Sequence, residues 1–311
     1  LTFGFKHGSP RDADLTFGNY DNRPGTQAYA YLPYNYSAPE TEFAGDVWIN
    51  VEQDDNLELD NGFYGLHVLV HETGHSLGLT HPGDYDAGDG GPINYPGSAE
   101  YYQDSRQYTL MSYFNAEFTG AGHVDWGRFV WVYGQTPLLH DILAIQTIYG
   151  ADPTTRTGAT VYGFNGNAGR DVFDFALNTM PVISIYDAEG IDTLDFSGWD
   201  TPSTIDLNPG AFSSGGGSGI VPLAVLQAAG LLPADYSQAQ YDALRAAYNA
   251  FDGLLHDNIS IAYGTIIENA VGGGGDDTIT GNNARNTLVG GGGNDTESGG
   301  GHYERMLWGE G

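Results

Sequence analysis

The sequence predicts an α+β domain followed by an all-β parallel β-roll. Three observations support this fold class: strand-like and then helix-like segments in the first half, short strand-like pieces separated by Gly, Asn and Asp in the second half, and a nine-residue repeat starting at Gly272. The 311 residues also exceed the usual size of one compact domain. We therefore expect one domain over residues 1–150 and another over 151–311.

The first domain is expected to begin with a sheet and to continue with helices. Alternating residues predict strands at 27–32 and 46–50. Helical spacing predicts helices at 62–79, where Gly78 lies at the expected helix end, and at 138–149. The Gly-, Asp- and Pro-rich segment 82–96 is expected to be a loop.

Four nine-residue copies fill residues 272–307: GGGGDDTIT, GNNARNTLV, GGGGNDTES and GGGHYERML. The first and third fit the calcium-binding nonapeptide of parallel β-rolls, apart from Glu297 at the apolar position. Copies 18 residues apart stack on the same side of such a roll, so Asp277 and Asp295 are expected to share a column. Asn286 and Glu304 would form a weaker opposite column.

A flexible Gly-rich linker is the alternative interpretation of these copies. It is disfavoured because Ile279, Leu288 and Met306 recur at one position of the nine-residue register.

A helical insertion is predicted at about 222–257, within the Gly-rich half. Ser237 and Gln240 resemble a capping box. An apolar stripe follows, made of Tyr241, Leu244, Tyr248 and Phe251. We expect this insertion to pack on the roll, with a substrate exosite or a partner contact as the alternative.

Composition excludes several classes of function. With 40 Asp and Glu against 10 Lys and Arg, the net charge of −30 opposes nucleic acids and anionic membranes. Carboxylates are typical ligands of calcium, so such an excess of them favours calcium binding. The absence of cysteine excludes disulfides and thiolate metal sites. No apolar run approaches the roughly 18 residues that predict a membrane span.

The segment HETGHSLGLTH, residues 71–81, carries the chemistry. His71 and His75 are four residues apart, so both imidazoles project from one helix face and can bind one ion. Gly78 lets the chain leave the helix, and His81 can return to the same ion. Three neutral histidines leave an open position, which is typical of catalytic zinc. Glu72 lies beside them as a candidate general base and acid.

The remaining histidines lack such spacing. His67 lies one helical turn before His71 but has no neighbouring base, so we interpret it as structural. Ordinary surface or packing roles are expected for His7, His123, His140, His256 and His302. Tyr31 and Trp48 are expected to be core aromatics, with a substrate subsite as the alternative.

The zinc motif, followed by Pro-Gly-Asp-Tyr at 82–85 and Leu-Met-Ser-Tyr at 110–113, resembles the serralysin family, which is of alkaline protease type. The resemblance runs from about Leu15 to Gly300 and includes GTQAYAYLP at 25–33, DTLDFSGWD at 192–200 and IENAVGGGGDD at 267–277. It implies an α+β metzincin-type zinc protease domain followed by an all-β parallel β-roll (RTX) domain.

Site residues follow from the resemblance. It implies that Met111 forms the turn beneath the metal, and that Tyr113 is a switchable zinc ligand and a stabiliser of the oxyanion, rather than a core aromatic. It also implies that 46–50 is the edge strand along which substrates bind. Calcium ligands, several through backbone carbonyls, are implied at Arg156, Gly158, Thr160, Asp187, Gly190, Asp192, Ile266, Glu268, Gly273, Gly275, Asp277, Gly291, Gly293 and Asp295.

The resemblance thus implies a secreted, extracellular zinc endopeptidase with one catalytic Zn²⁺ and several structural Ca²⁺ ions. Its partners would be polypeptide substrates and a proteinaceous protease inhibitor as a candidate, with the chain itself a monomer. Two alternatives remain open: a non-catalytic, calcium-dependent adhesion or scaffold protein, and a zinc amidase or other small-substrate hydrolase.

Overall fold

The structure, a computed structural model, describes residues 15–21, 25–33, 44–89, 91–301 and 304–307. The positions of His7 and His302 lie outside these ranges. The fold class predicted from the sequence is confirmed: a small sheet with helices comes first, and a set of parallel sheets follows.

The first sheet has three strands, β1 (Phe17–Tyr20), β2 (Ala28–Ala30) and β3 (Val47–Asn50). Their order is β1-β3-β2, so β3 is the central strand. β3 pairs in parallel with β1 and antiparallel with β2. The expectation that 46–50 forms the edge strand was therefore wrong, because β1 pairs with the side of β3 that an edge strand would leave unpaired. The antiparallel edge of the described sheet is β2.

Helix α1 (Tyr64–Ser76) follows the sheet and carries His71, Glu72 and His75. It ends because Gly78 adopts a left-handed φ of 98°, which glycine reaches without steric cost. The N–H groups of Leu77 and Gly78 bond back to the carbonyls of Thr73 and His75 at 3.1 and 2.9 Å. The predicted helix and its end are confirmed, with shorter bounds at both ends.

The connection after α1 is irregular, as expected, except at its end. It contains a 3₁₀ turn at Ala87–Asp89, and a short helix α2 (Tyr95–Ser98) starts where Asn94 accepts a hydrogen bond from the N–H of Gly97. A hairpin of β4 (Val124–Asp125) and β5 (Val130–Trp131) comes next. Helix α3 (Leu139–Tyr149) then matches the second predicted helix.

The second half is built from short strands. They are β6 (Val161–Gly163), β7 (Ile183–Ile185), β8 (Thr193–Asp195), β9 (Thr204–Asp206), β10 (Phe212–Ser213), β11 (Ile259–Ile261), β12 (Asn269–Val271), β13 (Thr278–Thr280), β14 (Thr287–Val289), β15 (Thr296–Ser298) and β16 (Arg305–Leu307). They form sheets of order β16-β14-β12-β8-β6, β15-β13-β9 and β10-β11-β7. All pairs in the first two sheets are parallel.

The predicted nine-residue register is confirmed. Thr278 pairs with Thr296, and Thr287 pairs with Arg305, so copies 18 residues apart stack directly. Inward side chains of the two columns, among them Ile205, Ile279 and Leu288, are fully buried in one core. Glu297 lies next to Ile279 in the column of β13 and β15. Both of its carboxylate oxygens are buried, and neither has a hydrogen-bond partner.

The insertion forms helices α4 (Leu223–Ala228) and α5 (Gln238–Ala247), and the capping box of Ser237 and Gln240 is present. Its packing partner differs from the expectation. The apolar residues of the insertion, including Leu226 and Tyr241, cluster with Val124 and Trp126 of the hairpin rather than with the roll core. The hairpin supplies apolar aromatic surface, whereas the roll closes its apolar side chains inside itself.

Two smaller expectations about aromatic residues were also wrong. Phe251 does not continue the apolar stripe, because it lies beyond the end of α5 and is 67% exposed. Tyr31 is 40% exposed and is therefore not a core residue. Trp48 is half-buried and its ring stacks on Tyr29.

None of the helices within the described ranges combines the length and apolarity needed to cross a bilayer.

Candidate metal centre

Three imidazoles converge at the end of α1. The Nε2 atom of His81 lies 3.2 Å from that of His75 and 3.3 Å from that of His71. Among the described residues, these three histidines are the only group of three or more His, Asp or Glu side chains whose ligand atoms all lie within 4.8 Å of one another.

Hydrogen bonds from the opposite ring nitrogen orient each imidazole. Nδ1 of His71 donates to the carbonyl of Leu110 at 2.7 Å, Nδ1 of His75 to Leu79 at 2.8 Å, and Nδ1 of His81 to Tyr85 at 2.8 Å. A carbonyl only accepts, so the proton must sit on Nδ1. Each Nε2 is therefore left with a lone pair.

Three lone pairs at this spacing repel one another unless a cation lies between them. Tetrahedral zinc with Zn–N distances of about 2.0–2.1 Å requires nitrogen atoms about 3.3 Å apart. The observed 3.2 and 3.3 Å separations match that requirement. The three residues thus fit a zinc ion, with the backbone carbonyls fixing the tautomers.

Burial keeps these histidines neutral. It lowers the pKa of His71 to about 3, with the neighbouring His75 as the next cause. Burial is also the main cause of the lowered pKa values of His75 and His81. Neutral imidazole is the form that binds metals, so the ligands need not lose a proton at neutral pH.

Glu72 lies on α1 directly after His71 and is 8% exposed. Its Oε2 atom is buried and has no hydrogen-bond partner. Burial, and then the negative charge of Asp86, raise the pKa of Glu72 to about 8. A divalent cation on the adjacent histidines would oppose this shift. Glu72 therefore brings an unsatisfied carboxyl oxygen to the edge of the metal centre.

Tyr113 borders the centre on the side of His81. Its ring centroid lies 4.5 Å from that of His81 and 6.2 Å from that of His71. Burial raises the pKa of Tyr113 to about 12, with Asp86 as the second cause. Its hydroxyl consequently stays protonated at neutral pH and can donate a hydrogen bond.

Met111 lies beneath the helix that carries the ligands. It is 2% exposed, and a Cβ added to Gly74 would meet its sulfur at 2.7 Å. Because Gly74 has no Cβ, the sulfur of Met111 packs directly against the helical turn between His71 and His75.

Two residues that the sequence reasoning missed support the centre. The buried carboxylate of Asp141 accepts from the N–H of Leu110 at 2.9 Å and so fixes the carbonyl that orients His71. The ring of Tyr85 lies parallel to that of His81, with centroids 5.5 Å apart. An acidic residue in the first turn of a predicted helix was the available signal for Asp141.

The other described histidines lie outside the cluster. His67 is buried between Tyr64 and Tyr133, and its Nδ1 has no hydrogen-bond partner. His123 is buried with Nε2 near the carbonyl of Asp257. His256 pairs with Asp252, and the ring of His140 contacts that of Tyr108 at a centroid distance of 5.0 Å.

The first group of expected calcium ligands meets at the start of the roll. Asp192 accepts from the N–H of Thr160 at 2.7 Å, and Glu268 accepts from the N–H of Asp192 at 2.8 Å. A Cβ on Gly190 would lie 2.4 Å from the carbonyl oxygen of Gly158 and 2.5 Å from an Asp192 oxygen, so these oxygens surround a cradle. Burial raises the pKa of Asp192 to about 6, and the carboxylates of Asp187 and Glu268 add to the rise.

Besides the two glycines, Arg156 and Ile266 can contribute to that group only through the backbone. Arg156 adopts a φ of 51°, and its guanidinium lies over the ring of Phe173 at 4.9 Å. The apolar side chain of Ile266 is 43% exposed. Their carbonyls are the atoms that remain for a cation.

The second group lies in the column of β13 and β15. The N–H of Asp277 donates to Asp295 at 3.0 Å, so the two carboxylates stack as predicted. A Cβ on Gly291 would lie 2.1 Å from the carbonyl oxygen of Gly273, and one on Gly293 would lie 2.4 Å from that of Gly275. Oxygen atoms therefore line this side of the roll at regular intervals.

A sheet above a ligand-bearing helix, a third histidine after a glycine turn and a methionine beneath define a metzincin-type zinc domain, here joined to a parallel β-roll. Comparison with known proteins agrees. The family model described as Matrixin matches residues 1–88, and that described as Peptidase M10 serralysin C terminal matches 151–228 and 230–301.

The chain is 41% identical over 280 residues to serralysin of Proteus mirabilis, covering 88% of this chain and 47% of the relative. It is 39% identical over 272 residues to serralysin B of Dickeya chrysanthemi, covering 86% and 47%. Metalloprotease AprA of Pseudomonas entomophila is 39% identical over 280 residues, covering 89% and 49%. The chain belongs to the serralysin family. It spans about half the length of the curated relatives that it matches.

Proposed function

We propose that the chain is a secreted zinc endopeptidase that hydrolyses peptide bonds of proteins. The observation that carries this proposal is the convergence of three Nε2 lone pairs beside an unpartnered carboxyl oxygen of Glu72. His71, His75 and His81 would hold the ion. When bound there, zinc supplies Lewis-acid polarisation of the scissile carbonyl and of the attacking water.

Glu72 would carry the protons. Its buried, unpartnered oxygen can accept a proton from the attacking water and then deliver it to the leaving amine. Burial makes the carboxyl a better base than an exposed glutamate, which suits both halves of this transfer.

Tyr113 would stabilise the oxyanion. Its hydroxyl stays protonated at neutral pH and lies on the side of His81, so it can donate where negative charge develops on the former carbonyl oxygen. The family resemblance supports a second role for Tyr113 as a switchable zinc ligand.

Strand β2 is proposed to bind the substrate. The pairing of Gln27 and Tyr31 with β3 leaves the intervening N–H and C=O groups of Ala28 and Ala30 pointing away from the sheet. No described residue bonds to them. An extended peptide can add to this edge through main-chain hydrogen bonds, which tolerate many sequences. Beyond β2, Pro33 lies 3.7 Å from the point where a Cβ added to Gly78 would stand. Gly78 itself lies between His75 and His81 in the sequence.

The roll is proposed to bind structural calcium in a domain over 151–311, next to a catalytic domain over 1–150. Burial raises the pKa values of the Asp187, Asp192 and Asp277 carboxyls, and neighbouring acidic groups add to the rise for Asp192 and Asp277. Among the described residues, the ion pairs of Arg and acidic side chains involve none of these three. Secretion, a monomeric state and a proteinaceous inhibitor are proposed from the family alone.

Glu72→Gln tests the activity. It keeps the shape of the side chain but removes the base, so kcat/KM on a casein-type substrate should fall roughly 10²- to 10⁴-fold with zinc content unchanged. Glu58→Gln is the matched control, because Glu58 is exposed and lies outside the site. Equal activity in the Glu72 variant and the parent would contradict the proposal, and a zinc-loaded parent without any cleavage would favour the non-catalytic adhesion or scaffold protein. Cleavage of small amides but not of polypeptides would favour the amidase.

A further inference from the structure

His81 is the candidate zinc ligand that helix α1 does not hold. His71 and His75 lie on the helix, whereas His81 follows Gly78, where the chain has left it. The ring of His81 is oriented by the carbonyl of Tyr85, which accepts from its Nδ1 at 2.8 Å. Both residues belong to the same irregular connection. This bond therefore fixes the imidazole only if Tyr85 is itself fixed.

The side chain of Tyr85 packs among aromatic rings. It is 6% exposed, and its ring lies at 8° to that of His81, with the centroids 5.5 Å apart. The ring centroids of Tyr113 and Phe114 lie 5.2 and 5.1 Å from that of Tyr85. Tyr85 thus contacts His81 through its carbonyl and through its ring, so a movement of Tyr85 would displace the imidazole.

A buried carboxyl group anchors the far end of the Tyr85 side chain. The Tyr85 hydroxyl donates to Oδ1 of Asp104 at 2.8 Å, and Asp104 is 0% exposed. Water does not compete with a hydrogen bond between two buried groups, so the bond keeps its strength. The two residues are 19 apart in the sequence. The hydroxyl is therefore held by a part of the chain outside the connection that carries His81.

Asp104 is a costly residue at a buried position. Its Oδ2 atom is buried and has no hydrogen-bond partner among the described residues. An unpaired buried polar atom destabilises a fold, so packing alone would favour an apolar side chain here. The hydrogen bond to Tyr85 is what an apolar side chain of similar size could not provide.

A comparable arrangement orients His71. Its partner is the carbonyl of Leu110, and the N–H of Leu110 donates to the buried carboxylate of Asp141. In both cases a buried aspartate holds the residue whose carbonyl orients a ligand. For His81 the link runs through a side-chain hydroxyl, so the removal of one oxygen atom can break it.

We propose that Asp104 is a positioning residue for the zinc site, which acts through the Tyr85 hydroxyl to hold His81 as the third ligand. The inference rests on the proposed zinc site. Partners that orient metal ligands typically contribute 10- to 100-fold to metal affinity, so loss of this bond should weaken zinc binding by roughly 10-fold.

Zinc affinity tests this proposal. Tyr85→Phe removes the donor and Asp104→Leu removes the acceptor, so each should raise the zinc Kd roughly 10-fold in competition with a chromophoric chelator. If both act through one hydrogen bond, the double variant should bind no more than about twofold more weakly than either single variant. Asp104→Asn keeps an acceptor oxygen and should stay within about threefold of the parent.

Tyr241→Phe is the matched control. Tyr241 is also buried, and its hydroxyl donates to the carbonyl of Val221 at 2.7 Å within the insertion. Loss of that hydroxyl should lower the Tm of the zinc-free chain, as Tyr85→Phe does, but should leave the zinc Kd unchanged.

Two results would overturn the proposal. One is a zinc Kd in Tyr85→Phe equal to that of the parent. The other is a double variant whose loss equals the sum of the single losses in free energy, because the two residues would then act separately. If Asp104→Leu does not fold, the Kd of Tyr85→Phe, measured against that of Tyr241→Phe, decides alone.

Failure of the proposed function is distinguishable. Zinc affinity is measured without any cleavage, so a parent that binds zinc but hydrolyses no polypeptide would contradict the proposed function and still test the role of Asp104. A parent that binds no zinc would overturn both.

Discussion

The metal centre and the roll organise their candidate ligands in opposite ways. At the centre, neutral imidazoles are held by hydrogen bonds to Leu110, Leu79 and Tyr85, so the protein itself sets the orientation of each ring. In the roll, the carboxylates of Asp187 and Asp192 are buried, and burial raises both of their pKa values. Repulsion by Asp187 and Glu268 raises the pKa of Asp192 further.

This difference predicts what each ion contributes. An ion at a site already oriented by the protein mainly adds chemistry, because little folding depends on it. An ion among buried like charges removes repulsion and binds only the folded form, so it mainly adds stability. We therefore expect zinc to control activity and calcium to control folding.

Selective removal of the two metals should show the largest effect. Zinc removal should lower kcat/KM by roughly 10³-fold or more, because several kcal/mol of transition-state stabilisation are lost, while Tm changes little. Calcium removal should lower Tm by about 10 °C or more if at least two sites are lost. Activity assays and calorimetry on the same samples measure both. A Tm that follows zinc but ignores calcium would contradict the comparison.

A single carboxylate in the first calcium group should have a smaller effect. Asp192→Asn removes charge from the cradle formed by Gly158 and Gly190, so the rise in Tm on adding calcium should shrink by roughly 5 °C, the contribution of one site. Asp235→Asn is the matched control, because Asp235 is exposed on the insertion and far from the cradle in sequence. The same calcium response in both variants would place the ion elsewhere.

Acid should weaken the calcium effect over a defined range of pH. Burial raises the pKa of Asp192 to about 6, above its ordinary value, so the calcium-free folded chain holds more protons than the unfolded chain below pH 6. The stability of the calcium-free chain should then fall as pH rises toward 6. Calcium competes with these protons, so its stabilisation should be complete near pH 7 and decrease below 6. Thermal melts from pH 5 to 8, with and without calcium, measure this. A calcium effect independent of pH would argue against binding by Asp192.

Local sequence was sufficient where one element carries the whole pattern. The spacing of His71 and His75 on a helix, the exit at Gly78 and the register that stacks Asp277 on Asp295 all appear as predicted. In each case the period of a helix or of a nine-residue repeat relates sequence separation directly to position in space.

Sequence reasoning failed where the partner was distant. The strand at Val47–Asn50 is central because β1 pairs with it, and the insertion packs on Trp126 rather than on the roll. The hydrogen bond from the N–H of Leu110 to Asp141 also joins residues 31 apart in the sequence, which no local period encodes.

The sequence by itself thus determined the ligand types, their spacing and the two kinds of architecture, because these follow from periodicity and the chemistry of single side chains. Only the tertiary structure decided which strand edge is free, which carbonyl orients His71 and where the insertion packs. Those choices depend on packing between segments far apart in the chain, where many pairings have the same local pattern and differ only in how completely they bury and hydrogen-bond their groups.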